Sequence, residues 1–195
     1  MKKRLNRRRM LQGTVLAGMG LLICRGGQAG ESSPNEKLNV AFIGVGGRGR
    51  TNLDTVGSLG ENIVALCDVD EHRAGDAFVS HPKARKYHDF RKMLSEMDGR
   101  IDAVVVSTPD HTHAVACAMA MKMGKHCYCE KPLTWCVHEA RAVRRTAAKH
   151  KVATQMGNQG SASAGLRSGV KVLQAGIIGK VREIHIWSDR PFKEW

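Results

Sequence analysis

An apolar run that breaks into glycines constrains this 195-residue chain more than any other feature. Residues 38–49 read LNVAFIGVGGRG, so an apolar, β-branched stretch leads directly into Gly44, Gly46 and Gly49. A short apolar run bounded by glycine is typical of a buried strand, and the next residues, 51–59, predict a short helix. The pattern therefore predicts a strand, a tight turn and a helix start in direct succession.

The spacing of these glycines is typical of a turn that binds the pyrophosphate of a dinucleotide. Gly44 would make the turn, Gly46 would let the backbone approach the pyrophosphate, and Gly49 would let the helix pack closely on the strand. Unpaired N–H groups at the positive end of the helix would hold the phosphates. A second predicted strand, residues 63–69, carries Asp68 at about the distance expected for an acid that binds the adenosine ribose hydroxyls. The two stretches together favour cofactor binding over a turn that is rich in glycine for steric reasons alone.

Strands and helices alternate along the chain that follows. Further strands are predicted at residues 84–87, 102–107, 126–130 and 152–155, and further helices at residues 70–79, 89–97, 111–123 and 137–150. The run DAVVVS at residues 102–107 is nearly continuous in apolar residues, as in a central parallel strand covered on both faces. This alternation predicts an α/β fold, a doubly wound parallel sheet of the Rossmann type, over residues 38–158.

Residues 159–195 predict a change of architecture. Leu166, Val170, Leu173 and Ile177 mark one more amphipathic helix, and VREIHIW at residues 181–187 predicts a strand with no later strand to pair with. We interpret this segment as the first helix and strand of an incomplete α+β substrate domain. The alternative is that the strand extends the first sheet at its edge.

The N-terminus has the composition of an export signal. Basic residues through Arg9 precede an apolar segment, residues 14–23, that is too short to span a bilayer, and a small-residue site ends at Ala29. The stretch NRRRMLQ at residues 6–12 resembles the twin-arginine motif. We expect a signal peptide at residues 1–29, cleaved after Ala29, and a polar linker at residues 30–37. The protein is then exported, to the periplasm or beyond, by the twin-arginine machinery without a stable membrane span. A lipoprotein anchored at Cys24 and an uncleaved anchor remain alternatives.

Charge and cysteine content exclude other classes of partner and ligand. The net charge is +13, but residues 1–30 carry seven basic residues and no acid, which leaves only +6 for the remainder. A mixed surface of this kind argues against a nucleic-acid partner.

The six cysteines show no disulfide spacing, and those in apolar runs are expected to be packing residues. A zinc site built from His111, His113, Cys127 and Cys129 is disfavoured because positions i and i+2 of a helix do not share a face, so we expect no metal.

Four motifs follow one another in a characteristic order: the glycine turn, CDVD at residues 67–70, STPDHTH at residues 107–113 and CEKP at residues 129–132. In this order they resemble the glucose-fructose oxidoreductase and inositol dehydrogenase family, Gfo/Idh/MocA, from Leu38 to the C-terminus. The resemblance implies an oxidoreductase that transfers a hydride between a sugar or polyol and a nicotinamide cofactor. Asp68 favours NAD because a carboxylate repels a ribose 2′-phosphate, while Arg48 and Arg50 near the turn keep NADP as an alternative. The full-length protein would be a homo-oligomer.

The resemblance also implies roles for individual residues. The cofactor-binding residues are expected to be Gly44, Val45, Gly46, Gly47, Gly49, Asp68, Arg73, Thr108, Pro109, His113, Glu130 and Lys131. Of these, Thr108, Pro109 and His113 would border the nicotinamide end. Lys131 would be the catalytic lysine that contacts the substrate and assists proton transfer, and its bond to Pro132 is expected to be cis.

Two alternatives to a complete dehydrogenase stay open. Some relatives use bound NAD transiently to cleave glycosides, although the intact Glu-Lys-Pro motif at residues 130–132 weighs against this. The family's remaining catalytic Asp and His would lie beyond Trp195, so the chain is expected to be a fragment in which cofactor binding outlasts catalysis. A non-catalytic dinucleotide-binding protein is the second alternative, if the gene ends at Trp195.

Overall fold

A six-stranded parallel sheet organises the part of the chain that the computed structural model describes, residues 37–187. Its strands are β1 (Asn39–Ile43), β2 (Asn62–Cys67), β3 (Arg85–Tyr87), β4 (Ala103–Val106), β5 (His126–Glu130) and β6 (Thr154–Gly157). They lie in the order β3-β2-β1-β4-β5-β6, and every neighbouring pair is parallel. This order is the doubly wound Rossmann arrangement, so the predicted fold class is confirmed.

Within residues 37–187, six α-helices connect the strands or follow them: α1 (Arg48–Ser58), α2 (Glu71–Ser80), α3 (Phe90–Glu96), α4 (His113–Lys122), α5 (Val137–His150) and α6 (Ala164–Gln174). Side-chain caps fix where some of them begin. Asp70 accepts hydrogen bonds from two amides in the first turn of α2, Asp89 caps α3, and Ser163 caps α6. The predicted helices are confirmed, with ends that shift by at most three residues.

The core lies on both faces of the sheet. Alternate residues of β1 point to opposite sides, so Ala41 and Ile43 pack in one buried cluster while Val40 and Phe42 pack in the other. Helices cover each face, which explains why the central strands are apolar on both sides.

The segment after β6 departs from the prediction in one respect. Helix α6 forms, with the apolar Leu166, Val170 and Leu173 about half exposed. Residues 181–187, predicted as a strand, have no strand pairing and are exposed. A strand needs a hydrogen-bonded neighbour, and the sheet formed by residues 37–187 supplies none to this segment.

The predicted export signal lies outside the described residues, and within them no helix is long and apolar enough to cross a membrane.

Candidate cofactor site

The glycine turn forms at the carboxyl end of β1 as predicted. Gly44 has a φ of +82°, and a Cβ there would lie 2.6 Å from the carbonyl oxygen of Ser107. At the buried Gly49, a Cβ would lie 2.0 Å from the carbonyl oxygen of Gly44. A side chain at either position would overlap backbone atoms, so the turn, the end of β4 and the start of α1 are packed at the distance that glycine alone permits.

Asp68 follows β2 and joins it to the glycine turn. Its Oδ2 accepts hydrogen bonds from the amides of Val45 at 2.8 Å and Gly46 at 3.3 Å, and its Oδ1 accepts one from the amide of Asp70 at 3.1 Å. These contacts hold the carboxylate in one orientation at the edge of the turn. The sequence predicts an acid here, but not that it is bonded to the turn itself.

The start of α1 presents amides to the same region. Gly47 is the N-cap residue, and no side chain within residues 37–187 caps this helix. The first N–H groups of a helix have no partner inside it and carry partial positive charge. An anion such as a phosphate is therefore a suitable partner for this end of α1.

A cleft of about 620 Å³ lies at the carboxyl ends of β1, β2 and β4. Open α/β sheets bind their ligands at this edge, and the volume is in the range of small-molecule sites. Six of the predicted cofactor-binding residues line it: Gly44, Gly46, Asp68, Arg73, Thr108 and Pro109. Arg48, His88 and His111 also contribute to the wall.

His113 lies behind the cleft wall. Its side chain is 1% exposed, with Nδ1 2.7 Å from the carbonyl oxygen of Pro132 and Nε2 2.7 Å from that of Thr108. The ring thus joins the loop after β4 to the loop after β5. The resemblance implies that His113 borders the nicotinamide end, and in the structure its ring contacts the carbonyl oxygen of the cleft residue Thr108.

Glu130 is also buried, at 5% exposure, and is held by a network that the sequence did not predict. Its Oε1 accepts hydrogen bonds from Asn52 Nδ2 at 2.9 Å and Gln159 Nε2 at 2.5 Å. The Asn52 amide also donates to the Ser107 hydroxyl at 3.0 Å. Asn52 follows Gly49 by three residues on α1, which was the available signal that its side chain faces the sheet.

Lys131 directly follows β5 and is exposed. Its bond to Pro132 is cis, as expected. Because β1 and β5 belong to one parallel sheet, Lys131 and the glycine turn lie at the same edge. Lys131 and Glu130 do not line the 620 Å³ cleft, and Glu130 is linked to it through Asn52, which also bonds the cleft residue Ser107.

Residues 38–158 match the Gfo/Idh/MocA oxidoreductase family, which has an NAD-binding Rossmann fold. The chain belongs to this family. It is 32% identical over 154 residues to a glycosyl hydrolase family 109 protein of Solibacter usitatus, a match that covers 69% of this chain and 34% of that protein. It is 30% identical over 158 residues to inositol 2-dehydrogenase 1 of Saccharopolyspora erythraea, with 76% of this chain and 44% of that protein covered.

A solved structure supports the same assignment. The crystal structure of myo-inositol 2-dehydrogenase from Lactobacillus plantarum is similar with a TM-score of 0.68 and 25% sequence identity, and the match covers 75% of this chain and 43% of that one. The chain therefore spans less than half the length of these relatives.

The residues of this Gfo/Idh/MocA member fit NAD. A Cβ at Gly44 or Gly49 would close the turn, the N-terminus of α1 suits a pyrophosphate, and Asp68 suits ribose hydroxyls. The carboxylate offers about four acceptor positions, so the bonds from Val45 and Gly46 leave capacity for a ligand.

Proposed function

We propose that this chain binds NAD as part of an oxidoreductase that moves a hydride between a sugar or polyol carbon and the nicotinamide. The single observation that carries the proposal is the cleft in which the glycine turn, the uncapped start of α1 and Asp68 meet. The similarity to an inositol 2-dehydrogenase supports the polyol class of substrate.

In this proposal, different residues bind different parts of the cofactor. The pyrophosphate lies against Gly46 and the first amides of α1, where the helix dipole favours negative charge. Asp68 accepts hydrogen bonds from the ribose hydroxyls, and its negative charge disfavours a 2′-phosphate, so NAD binds more tightly than NADP. Thr108 and Pro109 form the wall at the nicotinamide end.

Lys131 is proposed as the residue that assists proton transfer. NAD, when bound, supplies the ring that accepts a hydride from the substrate carbon. The exposed ammonium of Lys131 donates a hydrogen bond to the reacting hydroxyl oxygen and stabilises the negative charge that develops there. Glu130, bonded to Asn52 and Gln159, fixes the backbone immediately before Lys131.

Turnover tests this role. The full-length protein is mixed with NAD and a panel of polyols and sugars, and the absorbance of NADH is followed. We expect Lys131→Ala to lose NADH production while Lys122→Ala, an exposed lysine in the last turn of α4, keeps it. Unchanged turnover in Lys131→Ala would refute the role of the lysine. NAD binding without turnover on any substrate would refute hydride transfer by the full-length protein and leave cofactor binding standing.

A second candidate activity is NAD-dependent glycoside cleavage, which is favoured by the 32% identity to a glycosyl hydrolase family 109 protein. The two activities differ in their net redox change. A dehydrogenase accumulates NADH in step with product, whereas a glycosidase releases the alcohol from a chromogenic glycoside and leaves the NAD pool unchanged.

We also propose that the protein is exported, because the basic and apolar residues before Ala29 match a twin-arginine leader. N-terminal sequencing of the mature protein is expected to begin at Gly30. A mature protein that keeps its leader would contradict cleavage.

A further inference from the structure

The Asn52 side chain of α1 forms a link between two parts of the molecule. Its Nδ2 donates one hydrogen bond to the Ser107 hydroxyl at 3.0 Å and another to Glu130 Oε1 at 2.9 Å. A carboxamide nitrogen carries two N–H groups, so both donors of Asn52 are used. Because Ser107 lines the cofactor cleft and Glu130 is the last residue of β5, Asn52 joins the cleft wall to the end of that strand.

The Ser107 end of this link is held in place by the backbone. The Ser107 amide donates a hydrogen bond to the Ile43 carbonyl oxygen at 2.8 Å, and a Cβ at Gly44 would lie 2.6 Å from the Ser107 carbonyl oxygen. Neither restraint involves the Asn52 side chain. Ser107 and the backbone of α1 therefore keep their positions when that side chain is removed.

The Glu130 end depends on side chains. The Glu130 carboxylate is buried, and its Oε1 accepts hydrogen bonds from Asn52 and Gln159, which are both uncharged. None of the ion pairs formed within residues 37–187 includes Glu130. With no cation to hold the carboxylate in this part of the chain, each amide donor contributes to its orientation.

Gly157 of β6 limits the space around the same carboxylate. It lies opposite Glu130 in the register of β5 and β6. A Cβ at Gly157 would lie 2.7 Å from Glu130 Oε1 and 2.8 Å from the carboxyl carbon. A side chain at this position would push the carboxylate away from its amide donors, so the space that glycine leaves is part of how Glu130 is held.

We propose that Asn52 is a positioning residue for hydride transfer, which fixes Lys131 at the edge of the cofactor cleft by holding the preceding residue, Glu130. This inference rests on the proposed function, in which Lys131 assists proton transfer. Lys131 directly follows Glu130, so a shift of Glu130 also moves the base of the lysine side chain. A displacement of about 1 Å in a catalytic group can lower a rate by on the order of 10²-fold.

The binding of NAD should depend little on Asn52. The Asp68 carboxylate is held by the amides of Val45 and Gly46, and Asn52 takes no part in these bonds. We therefore expect Asn52→Ala to lower kcat at least about tenfold and to leave the dissociation constant of NAD within about threefold of the wild-type value. A residue that only stabilised the fold would not separate these two quantities.

The experiment uses the full-length protein and compares Asn52→Ala with Gly157→Ala. It measures kcat on a polyol or sugar that the wild type oxidises, the NAD affinity by calorimetry, and the amide hydrogen exchange of residues 127–133 by mass spectrometry. Both variants disturb the Glu130 carboxylate, from α1 and from β6, so both should lower kcat, keep the NAD affinity and speed this exchange about tenfold. Asn62→Ala is the matched control, because its amide bonds Asn39 at the opposite edge of the sheet, and it should behave as the wild type does.

Three results would overturn the positioning role. They are a kcat of Asn52→Ala within about threefold of the wild type, a loss of NAD affinity as large as the loss of kcat, and wild-type turnover in Gly157→Ala. If the full-length wild type binds NAD but oxidises no polyol or sugar, the proposed function fails. The hydrogen exchange then decides whether Asn52 holds the end of β5, and equal exchange in Asn52→Ala and the wild type would show that it does not.

Asn52→Asp keeps the test decisive if Asn52→Ala does not fold, because aspartate has the same shape as asparagine. The new carboxylate faces Glu130, and repulsion between the two raises the pKa of one of them, so that a shared proton restores a hydrogen bond. Relative to the wild type, the loss of kcat should therefore be smaller at about pH 6 than at about pH 8. An equal loss at both pH values would contradict the Asn52–Glu130 link.

Discussion

Gly49→Ala tests the close packing of the glycine turn against the start of α1. The added Cβ would lie 2.0 Å from the Gly44 carbonyl oxygen and 2.7 Å from its carbonyl carbon, and backbone atoms cannot avoid it by changing rotamer. Overpacking a tight site costs about 1–3 kcal/mol, and this overlap places the cost near 3. Alanine is up to about 1 kcal/mol more favourable than glycine within a helix, so we expect the free energy of unfolding to fall by about 2 kcal/mol in total.

Gly75→Ala is the matched control, because Gly75 lies within α2 and a Cβ there meets no atom within 4 Å. With a urea m-value of about 2 kcal/mol/M, Gly49→Ala should lower the unfolding midpoint by about 1 M, while Gly75→Ala should raise it by up to about 0.5 M. Circular dichroism during urea titration measures both. A Gly49→Ala midpoint equal to that of the wild type would show that the close packing of the turn is not required.

Two further variants test the network and the caps. Asn52→Ala leaves the buried Glu130 carboxylate with one donor fewer, so the free energy of unfolding should fall by about 1–3 kcal/mol, and an unchanged urea midpoint would contradict the network. The hydrogen bond from Arg91 lowers the pKa of the Asp89 carboxylate from 3.8 to about 2. Because this pKa is lowered on folding, the contribution to stability is complete above pH 3.8 and disappears as the pH falls towards 2. In Asp89→Asn, the urea unfolding midpoint should therefore change less between pH 3.8 and about pH 2 than it does in the wild type. An equal change in both proteins would contradict a contribution from the Asp89–Arg91 ion pair.

The alternation of apolar runs and helical periodicity was sufficient to predict the sheet and its helices. Strand β5 (His126–Glu130) and helix α5 (Val137–His150) have the predicted bounds. The strand predicted at residues 181–187 has no pairing partner within residues 37–187. The alternation of apolar and polar residues in this segment indicates that its side chains suit a half-buried surface. Strand pairing also requires a neighbouring strand, which the alternation does not specify.

Site residues could be predicted from the sequence where the backbone accepts only one residue type. Gly44 and Gly49 could be assigned from spacing, since few other residues fit a positive φ or a Cβ-free contact. His113 could not be placed, because its position after Thr108 does not reveal on which side of the loop the ring packs. Asn52 and Gln159 were missed because their partner, Glu130, is distant in sequence.

Calorimetric titration of NAD into the chain and into Asp68→Ala tests the central claim most directly. Hydrogen bonds to a charged group contribute about 1.5–3 kcal/mol, so we expect one NAD per chain and an affinity at least tenfold weaker in Asp68→Ala. Asp76→Ala, which removes an exposed acid on α2, should bind as the wild type does. Absence of NAD binding by the wild-type chain, or equal affinity in Asp68→Ala, would contradict the assignment of the cleft.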